Sequence, residues 1–128
     1  MRFDHAGIVT DDAETLAEHY AALFDCEIAH EEHFDGMQIV FLDLGNGFFE
    51  LLEPVDEEGT VARYLDENGP GIHHLAVEAT DIESRLDRAR ELGIELIDET
   101  PRAGAWGHDV AFLHPKSTGG VLLEFVEH

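Results

Sequence analysis

The sequence has 128 residues, of which 29 are acidic and only 7 are basic, giving a formal net charge of −22. Phosphate contacts need a basic face, so nucleic acid is not an expected partner. No apolar run approaches the roughly 18 residues of a membrane span, and the first residues lack an apolar signal region. The lone cysteine, Cys26, cannot form an intrachain disulfide. We therefore expect one cytoplasmic domain over residues 1–128, with a 44% hydrophobic fraction that can supply a core.

The acidic residues are spread along the whole chain, and Lys116 is its only lysine. Self-repulsion of this kind destabilises a compact state in dilute salt. Concentrated salt removes most of the penalty, because the Debye length falls to about 3 Å at 1 M. We therefore expect a halophilic protein, adapted to a salt-rich cytoplasm. An acidic surface for a basic partner is the alternative.

The first half, module one, is predicted over residues 1–54 with the order β-α-β-β-β. A strand over residues 2–9 is followed by Asp11 and Glu14, which have the form of a capping box, and by a helix with one apolar stripe. Strands are predicted at residues 27–33, 37–44 and 48–53. Asn46-Gly47 predicts a hairpin turn between the last two.

A linker over residues 55–70 carries a short predicted helix, residues 60–67, and module two follows over residues 71–128 in the same order. Its first strand is predicted at residues 72–78, Thr80 and Glu83 again suit a capping box, and Gly93 suits a helix end. Further strands are predicted at residues 95–98, 109–114 and 121–126. The loop between the last two is three residues longer than its counterpart, since positions 112 to 124 match positions 41 to 50.

The two halves repeat a set of metal-ligating residue types. "FDHAGIV" is echoed by "IHHLAVE", and "VFLDLGNGFFELLEP" by "AFLHPKSTGGVLLEFVE", so His5 aligns with His74 and Glu50 with Glu124. Taken singly, each histidine is more often a core residue and each glutamate more often faces water. The joint repetition favours a shared site. If the four converge, they suit a divalent ion such as Mn²⁺, Co²⁺, Fe²⁺ or Zn²⁺ with open positions for a chelating substrate.

Other histidines and the second-half loop give weaker signals. His73 is expected to face away from His74 on the same strand, and His19, His30 and His33 are expected to be solvated. His108 and His114 are candidates for lining a pocket. Trp106 is either a mobile lid element or a packed loop anchor. Lys116, in "HPKSTGG", is either part of a plain hairpin loop or a contact for an anionic ligand group.

These motifs are similar to those of the vicinal oxygen chelate superfamily, which includes glyoxalase I and the extradiol dioxygenases. Within it, "DHAGIVTDD", "ELLEP", "GIHHLAVE" and "FLHPKSTGGVLLE" most resemble the methylmalonyl-CoA epimerase family. The resemblance implies an α+β fold of two paired βαβββ modules, with mixed sheets curling around a metal cleft. It also implies one divalent ion per chain (Co, Mn, Zn or Fe) on His5, Glu50, His74 and Glu124, an acyl-CoA substrate, and a homodimer.

The implied reaction is interconversion of (2R)- and (2S)-methylmalonyl-CoA, with Glu124 as a catalytic base. In some members a second glutamate lies on the third strand of the first module, where this chain has Ile39. The second acid is therefore open between Glu50 and a water on the metal. A glyoxalase I-like isomerase is the alternative enzyme, and a metal-free small-molecule binding protein is the alternative from another class. An extradiol dioxygenase needs only two His and one Glu, so Glu50 speaks against it.

Overall fold

The computed structural model describes all 128 residues, which divide into two compact units. The first unit comprises residues 5–73, and the second comprises residues 1–4 and 74–128. Each unit has a four-stranded sheet and a helix packed on it, in the repeated order that the sequence predicts. None of the helices is both long and apolar enough to cross a membrane.

The first unit is built from the part of β1 (Arg2–Val9) that follows residue 4, and from α1 (Ala13–Phe24), β2 (Glu27–Phe34), β3 (Met37–Asp43), β4 (Phe48–Pro54) and α2 (Thr60–Asn68). Its sheet has the order β2-β3-β4-β1. β1 runs parallel to β4, and the other neighbours are antiparallel. The helix α1 buries its apolar stripe on one face of this sheet, and the core there consists of Ala13, Ala17, Val40, Leu42 and Leu51. The opposite face of the sheet carries the side chains of His5, Ile39 and Glu50.

The second unit repeats this plan with β5 (Gly71–Glu78), α3 (Ile82–Glu91), β6 (Arg102–Ala103), β7 (Asp109–Leu113) and β8 (Leu123–Glu127). Its sheet has the order β5-β8-β7-β6, with β5 parallel to β8. The core under α3 consists of Ile82, Leu86, Ala89, Ala111 and Leu113. Both sheets therefore carry their helix on one face, and buried side chains also line the other face, among them Ile39 in the first unit and Val126 in the second.

Both helices begin one residue later than predicted. The N-caps are Asp12 and Asp81, whose carboxylates accept from the backbone N–H of Thr15 and Ser84, so the predicted capping boxes at Asp11 and Thr80 are wrong. The first N–H of each helix donates instead to a glutamate on the last strand of its unit. Ala13 N donates to Glu53 Oε1 and Ile82 N to Glu127 Oε1, both at 2.8 Å.

The predicted strand at residues 95–98 is also wrong. Only an isolated bridge, Leu96 to Leu113, forms there, and β6 pairs with β7 further along. The edge is interrupted because the Asp98 carboxylate, not a backbone carbonyl, accepts from Phe112 N at 2.8 Å. Pro101 then has no N–H to contribute to the sheet. The end of α3 is as predicted, since Gly93 follows it with φ of 76°.

Candidate functional site

The first unit contains a buried histidine–glutamate pair on the sheet face opposite α1. His5 on β1 and Glu50 on β4 are 4% and 7% exposed, and His5 Nε2 lies 3.2 Å from Glu50 Oε1. In the β1–β4 register, His5 is opposite Phe48, and Gly7 is opposite Glu50. The pair is therefore a diagonal contact between neighbouring strands.

The second unit contains the equivalent pair, His74 on β5 and Glu124 on β8. They are 4% and 6% exposed, with His74 Nε2 at 3.3 Å from Glu124 Oε1. Ala76 is directly opposite Glu124. The strand register is thus the same in the two units, which explains why the aligned positions in the sequence also match in space.

Small residues make the diagonal contacts possible. Directly opposed residues on paired strands share a face of the sheet, so a long side chain at position 7 would stand beside the Glu50 carboxylate. Gly7 has no side chain, and Ala76 has only a methyl group. His5 and His74 can therefore reach across to the glutamate carboxylates.

An aromatic ring borders each pair. Phe41 is opposite Glu50 on β3, and its ring meets the His5 ring edge to face at 5.8 Å and 86°. Phe112 is opposite Glu124 on β7 and meets the His74 ring at 5.4 Å and 82°. Both phenylalanines stand at aligned positions of the sequence, in "VFL" and "AFL", and this repetition is the signal that points to them. These rings keep the ionisable groups in surroundings of low polarity.

The distances within the pairs fit adjacent ligands on one metal ion. Histidine and carboxylate ligands bind at about 2.0–2.2 Å. Two ligands at 90° to 110° on one ion are then about 3.0–3.5 Å apart. The observed 3.2 and 3.3 Å fall in this range. A carboxylate of such low exposure needs a cation or hydrogen-bond donors, so a divalent ion suits the chemistry of each pair.

Lys116 and His114 have structural partners in the long second-unit loop. Lys116 Nζ lies 2.8 Å from Glu95 Oε2, and the lysine side chain is 68% exposed. This hydrogen bond lowers the pKa of the Glu95 carboxyl. The ring Nδ1 of His114 accepts from Lys116 N at 3.2 Å, which begins a 3-10 turn over Pro115–Ser117. The three additional residues of this loop accommodate the turn.

Trp106 is held by stacked rings. Its backbone has φ of 61°, and its indole stacks on His108 at 5.6 Å and 24°. The His108 ring stacks on His128 at 4.0 Å, and His128 Nε2 lies 2.6 Å from Asp4 Oδ1. These contacts favour the packed loop anchor over the mobile lid element.

The remaining histidines differ in environment. The His73 ring packs against Tyr64 at 5.0 Å while His74 contacts Glu124, as strand alternation predicts. His19 and His33 are exposed as expected. The prediction for His30 is wrong, since His30 Nε2 lies 3.2 Å from Glu32 Oε1 and its side chain is only 28% exposed.

Comparison with known proteins identifies the family. The model of the glyoxalase/bleomycin resistance protein/dioxygenase superfamily matches residues 4–112. The chain belongs to this superfamily. Membership confirms the α+β fold of βαβββ modules that the sequence motifs imply.

Relatives within the superfamily include several named epimerases. The ethylmalonyl-CoA/methylmalonyl-CoA epimerase of Cereibacter sphaeroides is 35% identical over 127 residues, covering 96% of this chain and 95% of the relative. The human mitochondrial methylmalonyl-CoA epimerase is 34% identical, covering 96% of this chain and 72% of its own. A structure of a Streptomyces coelicolor methylmalonyl-CoA epimerase variant in complex with 2-nitronate-propionyl-CoA has a TM-score of 0.92 at 34% identity, covering 99% of this chain and 94% of the other. The resemblance stated from the sequence is thereby confirmed.

Proposed function

We propose that this protein is an epimerase that interconverts (2R)- and (2S)-methylmalonyl-CoA. The observation that carries the proposal is the buried histidine–glutamate pair, repeated in the same register in both units. Its epimerase relatives span nearly the whole chain, and one of them was solved with an acyl-CoA analogue. The activity belongs to the isomerases.

His5, Glu50, His74 and Glu124 are the proposed ligands of one divalent ion per chain. Two imidazoles and two carboxylates suit cobalt, manganese, zinc or iron, and the absence of thiolates speaks for a catalytic role. When bound, such an ion would polarise the thioester carbonyl and so stabilise negative charge on its oxygen. The within-pair distances support this ligand set.

Glu124 is the proposed catalytic base for the proton next to the thioester carbonyl. Glu124 is 6% exposed and lies near His74, with Phe112 on the neighbouring strand. Removal of water from a carboxylate strengthens it as a base toward a carbon acid. Once protonated, the same carboxyl can return the proton on the face from which it came.

Lys116, His114 and Trp106 are the proposed contacts for the acyl-CoA substrate. Lys116 is exposed but paired with Glu95, so an anionic group of the acyl-CoA would have to compete with that carboxylate. High salt weakens the surface pair and the repulsion between an acidic protein and a polyanion.

The proposal also covers the domain organisation, the oligomeric state and the location of the protein. Residues 1–128 form one vicinal oxygen chelate domain, with module one at 1–54, a linker at 55–70 and module two at 71–128. The protein acts as a cytoplasmic homodimer in concentrated salt, and the net charge of −22 supports the salt adaptation.

The experiment follows deuterium at the α-carbon of methylmalonyl-CoA in D₂O and high salt. The wild type is expected to exchange the proton and invert the centre. Glu124→Gln should lower exchange through that face by about 100-fold or more with an unchanged circular dichroism spectrum. Glu83→Gln, an exposed change in the same unit, is the control. A wild-type protein without exchange would refute the proposal, and turnover of methylglyoxal plus thiol would identify a glyoxalase I-like isomerase instead.

Metal content is measured on protein purified without chelator. One divalent ion per chain is expected, with loss of the ion in His5→Asn and in His74→Asn. A fully active protein with no bound metal would refute the ligand assignment. A metal-free protein that binds a small molecule tightly and catalyses no reaction would favour the alternative of a metal-free small-molecule binding protein.

A further inference from the structure

An epimerase must deliver a proton to the face of the carbon opposite the one that lost it. One carboxylate at one side of the substrate cannot do both without a large movement, so a second proton carrier is required. The following inference rests on the proposed function. The sheet face of the first unit that carries His5 and Glu50 also carries other ionisable side chains.

Strand register determines which other side chains share that face. Glu50 is opposite Phe41, and Phe41 is opposite His30 on the edge strand β2. Leu52 is opposite Ile39, and Ile39 is opposite Glu32. Because opposed residues share a face, His30 and Glu32 lie on the same face as the metal-ligand pair.

Two other ionisable residues, Asp43 and its cross-strand partner Glu27, share this face, and both are exposed. Asp43, at the end of β3, is exposed and accepts from Gly45 N at 2.7 Å, which holds the turn into β4. His30 and Glu32 are instead half-buried, at 28% and 26% exposure, and their Nε2 and Oε1 atoms lie 3.2 Å apart. They form an acid–base pair that a bound substrate could reach.

Phe41 separates this pair from the proposed metal ligands. Its ring lies 6.2 Å from the His30 ring and 5.8 Å from the His5 ring. β2 is two strand spacings from β4, which is about 10 Å. The His30–Glu32 pair therefore borders, across the Phe41 ring, the part of this face that carries His5 and Glu50.

The second unit has no titratable pair at the equivalent place. There Arg102 lies 5.5 Å over the Phe112 ring, and its Nε is 3.0 Å from Asp98 Oδ1. A guanidinium stays protonated in proteins and cannot transfer a proton. The Asp98 carboxylate also accepts from Phe112 N at 2.8 Å and so holds the sheet edge. Only the His30–Glu32 pair combines two side chains that can each exchange a proton.

We propose that Glu32 is the second proton carrier of the epimerase, with His30 as the residue that positions it. In one direction, Glu124 takes the α-proton as the C–H bond breaks and its electron pair moves into the thioester enolate. Protonated Glu32 then gives its proton to the opposite face, and the electron pair returns to form the new C–H bond. This turnover leaves Glu124 protonated and Glu32 ionised; the reverse reaction starts from that state, and proton exchange with water restores the first one, so no oxidant or reductant is needed.

The test compares Glu32→Gln with Glu31→Gln, the same change one residue earlier. Glu31 is exposed, and its cross-strand partner is Val40, so it lies on the other face of β2. Each variant is assayed in D₂O and high salt with each pure epimer, following inversion and α-deuteration separately. His30→Asn is assayed in the same way across a range of pH.

Glu32→Gln is expected to lower inversion by about 100-fold or more, while one epimer still exchanges its α-proton through Glu124. Glu31→Gln should invert within about twofold of the wild type. His30→Asn should keep partial inversion with a displaced pH profile, which a purely structural role would not produce. Inversion by Glu32→Gln within about threefold of the wild type would overturn the proposal, as would equal loss of exchange for both epimers with metal content intact. An inactive wild type would instead overturn the proposed function, and this inference with it.

Discussion

Replacement of Glu53 by alanine should destabilise the fold without touching the proposed metal ligands. Glu53 is three residues after Glu50 on the same strand, and its Oε1 accepts from Ala13 N at the start of α1 at 2.8 Å. The carboxylate therefore joins the sheet to the positive end of the helix dipole. Alanine removes the acceptor and leaves that N–H without its partner on β4.

The magnitude follows from the type of bond. A hydrogen bond to a charged group contributes about 1.5–3 kcal/mol, and this one is partly buried, so the expected loss is about 2 kcal/mol. At about 2.1 cal/mol/K per residue, a chain of 128 residues has an unfolding entropy of about 0.27 kcal/mol/K. The melting temperature should therefore fall by about 7 °C. Glu53→Gln, which keeps a neutral acceptor, should lose about half as much.

The assay is thermal unfolding followed by circular dichroism in concentrated salt, with Glu57→Ala as the control. Glu57 is exposed in the loop before α2 and should change the melting temperature by less than about 1 °C. Glu127→Ala should reproduce the loss, because Glu127 Oε1 accepts from Ile82 N in the second unit. A melting temperature for Glu53→Ala within about 1 °C of the wild type would refute the reasoning.

Three further predictions concern the ion pair, the core and the charge. Lys116→Met should raise the pKa of Glu95 toward its ordinary value, as seen by NMR titration. The pair stabilises the fold above that ordinary value, and this contribution is lost as the pH falls through the lowered pKa, so the variant should lack that part of the acid sensitivity. Leu51→Ala, at a position with 0% exposure, should cost about 3 kcal/mol in a denaturant titration, whereas Leu23→Ala at an exposed site should cost far less. Raising KCl from about 0.1 M to about 2 M should raise the melting temperature, and a fall would contradict the proposed salt adaptation.

The repeated motifs predicted most of the architecture, because identical spacing in two halves constrains the strand register. The same repetition aligns His5 with His74 and Glu50 with Glu124, and the structure places each histidine beside the glutamate of its own half. Strand neighbours point to opposite faces, so only one of His73 and His74 can be a ligand, and the alignment with His5 favours His74.

The structure differs from the predictions where a side chain from a distant strand replaces a local interaction. The helices begin one residue later than predicted because Glu53 and Glu127, forty and forty-five residues away in sequence, bind the first N–H of each helix. Residues 95–98 do not form the predicted strand because Asp98 uses its side chain to accept from Phe112 N. His30 is less exposed than predicted because its pairing with Glu32 and its contact with Phe41 depend on the β2–β3 register. The local sequence pattern around a residue does not reveal a partner on a distant strand.

Gly7 and Ala76 are two positions where a larger side chain would disrupt the proposed site, although neither residue is a proposed ligand. Each lies directly opposite a glutamate, and neither carries a group that binds or reacts. A valine at either position would occupy the path by which the histidine reaches its partner, so a single inherited change there could silence the enzyme with every functional side chain still present. Screens for inactive alleles of this protein should therefore recover these two positions as readily as the histidines themselves.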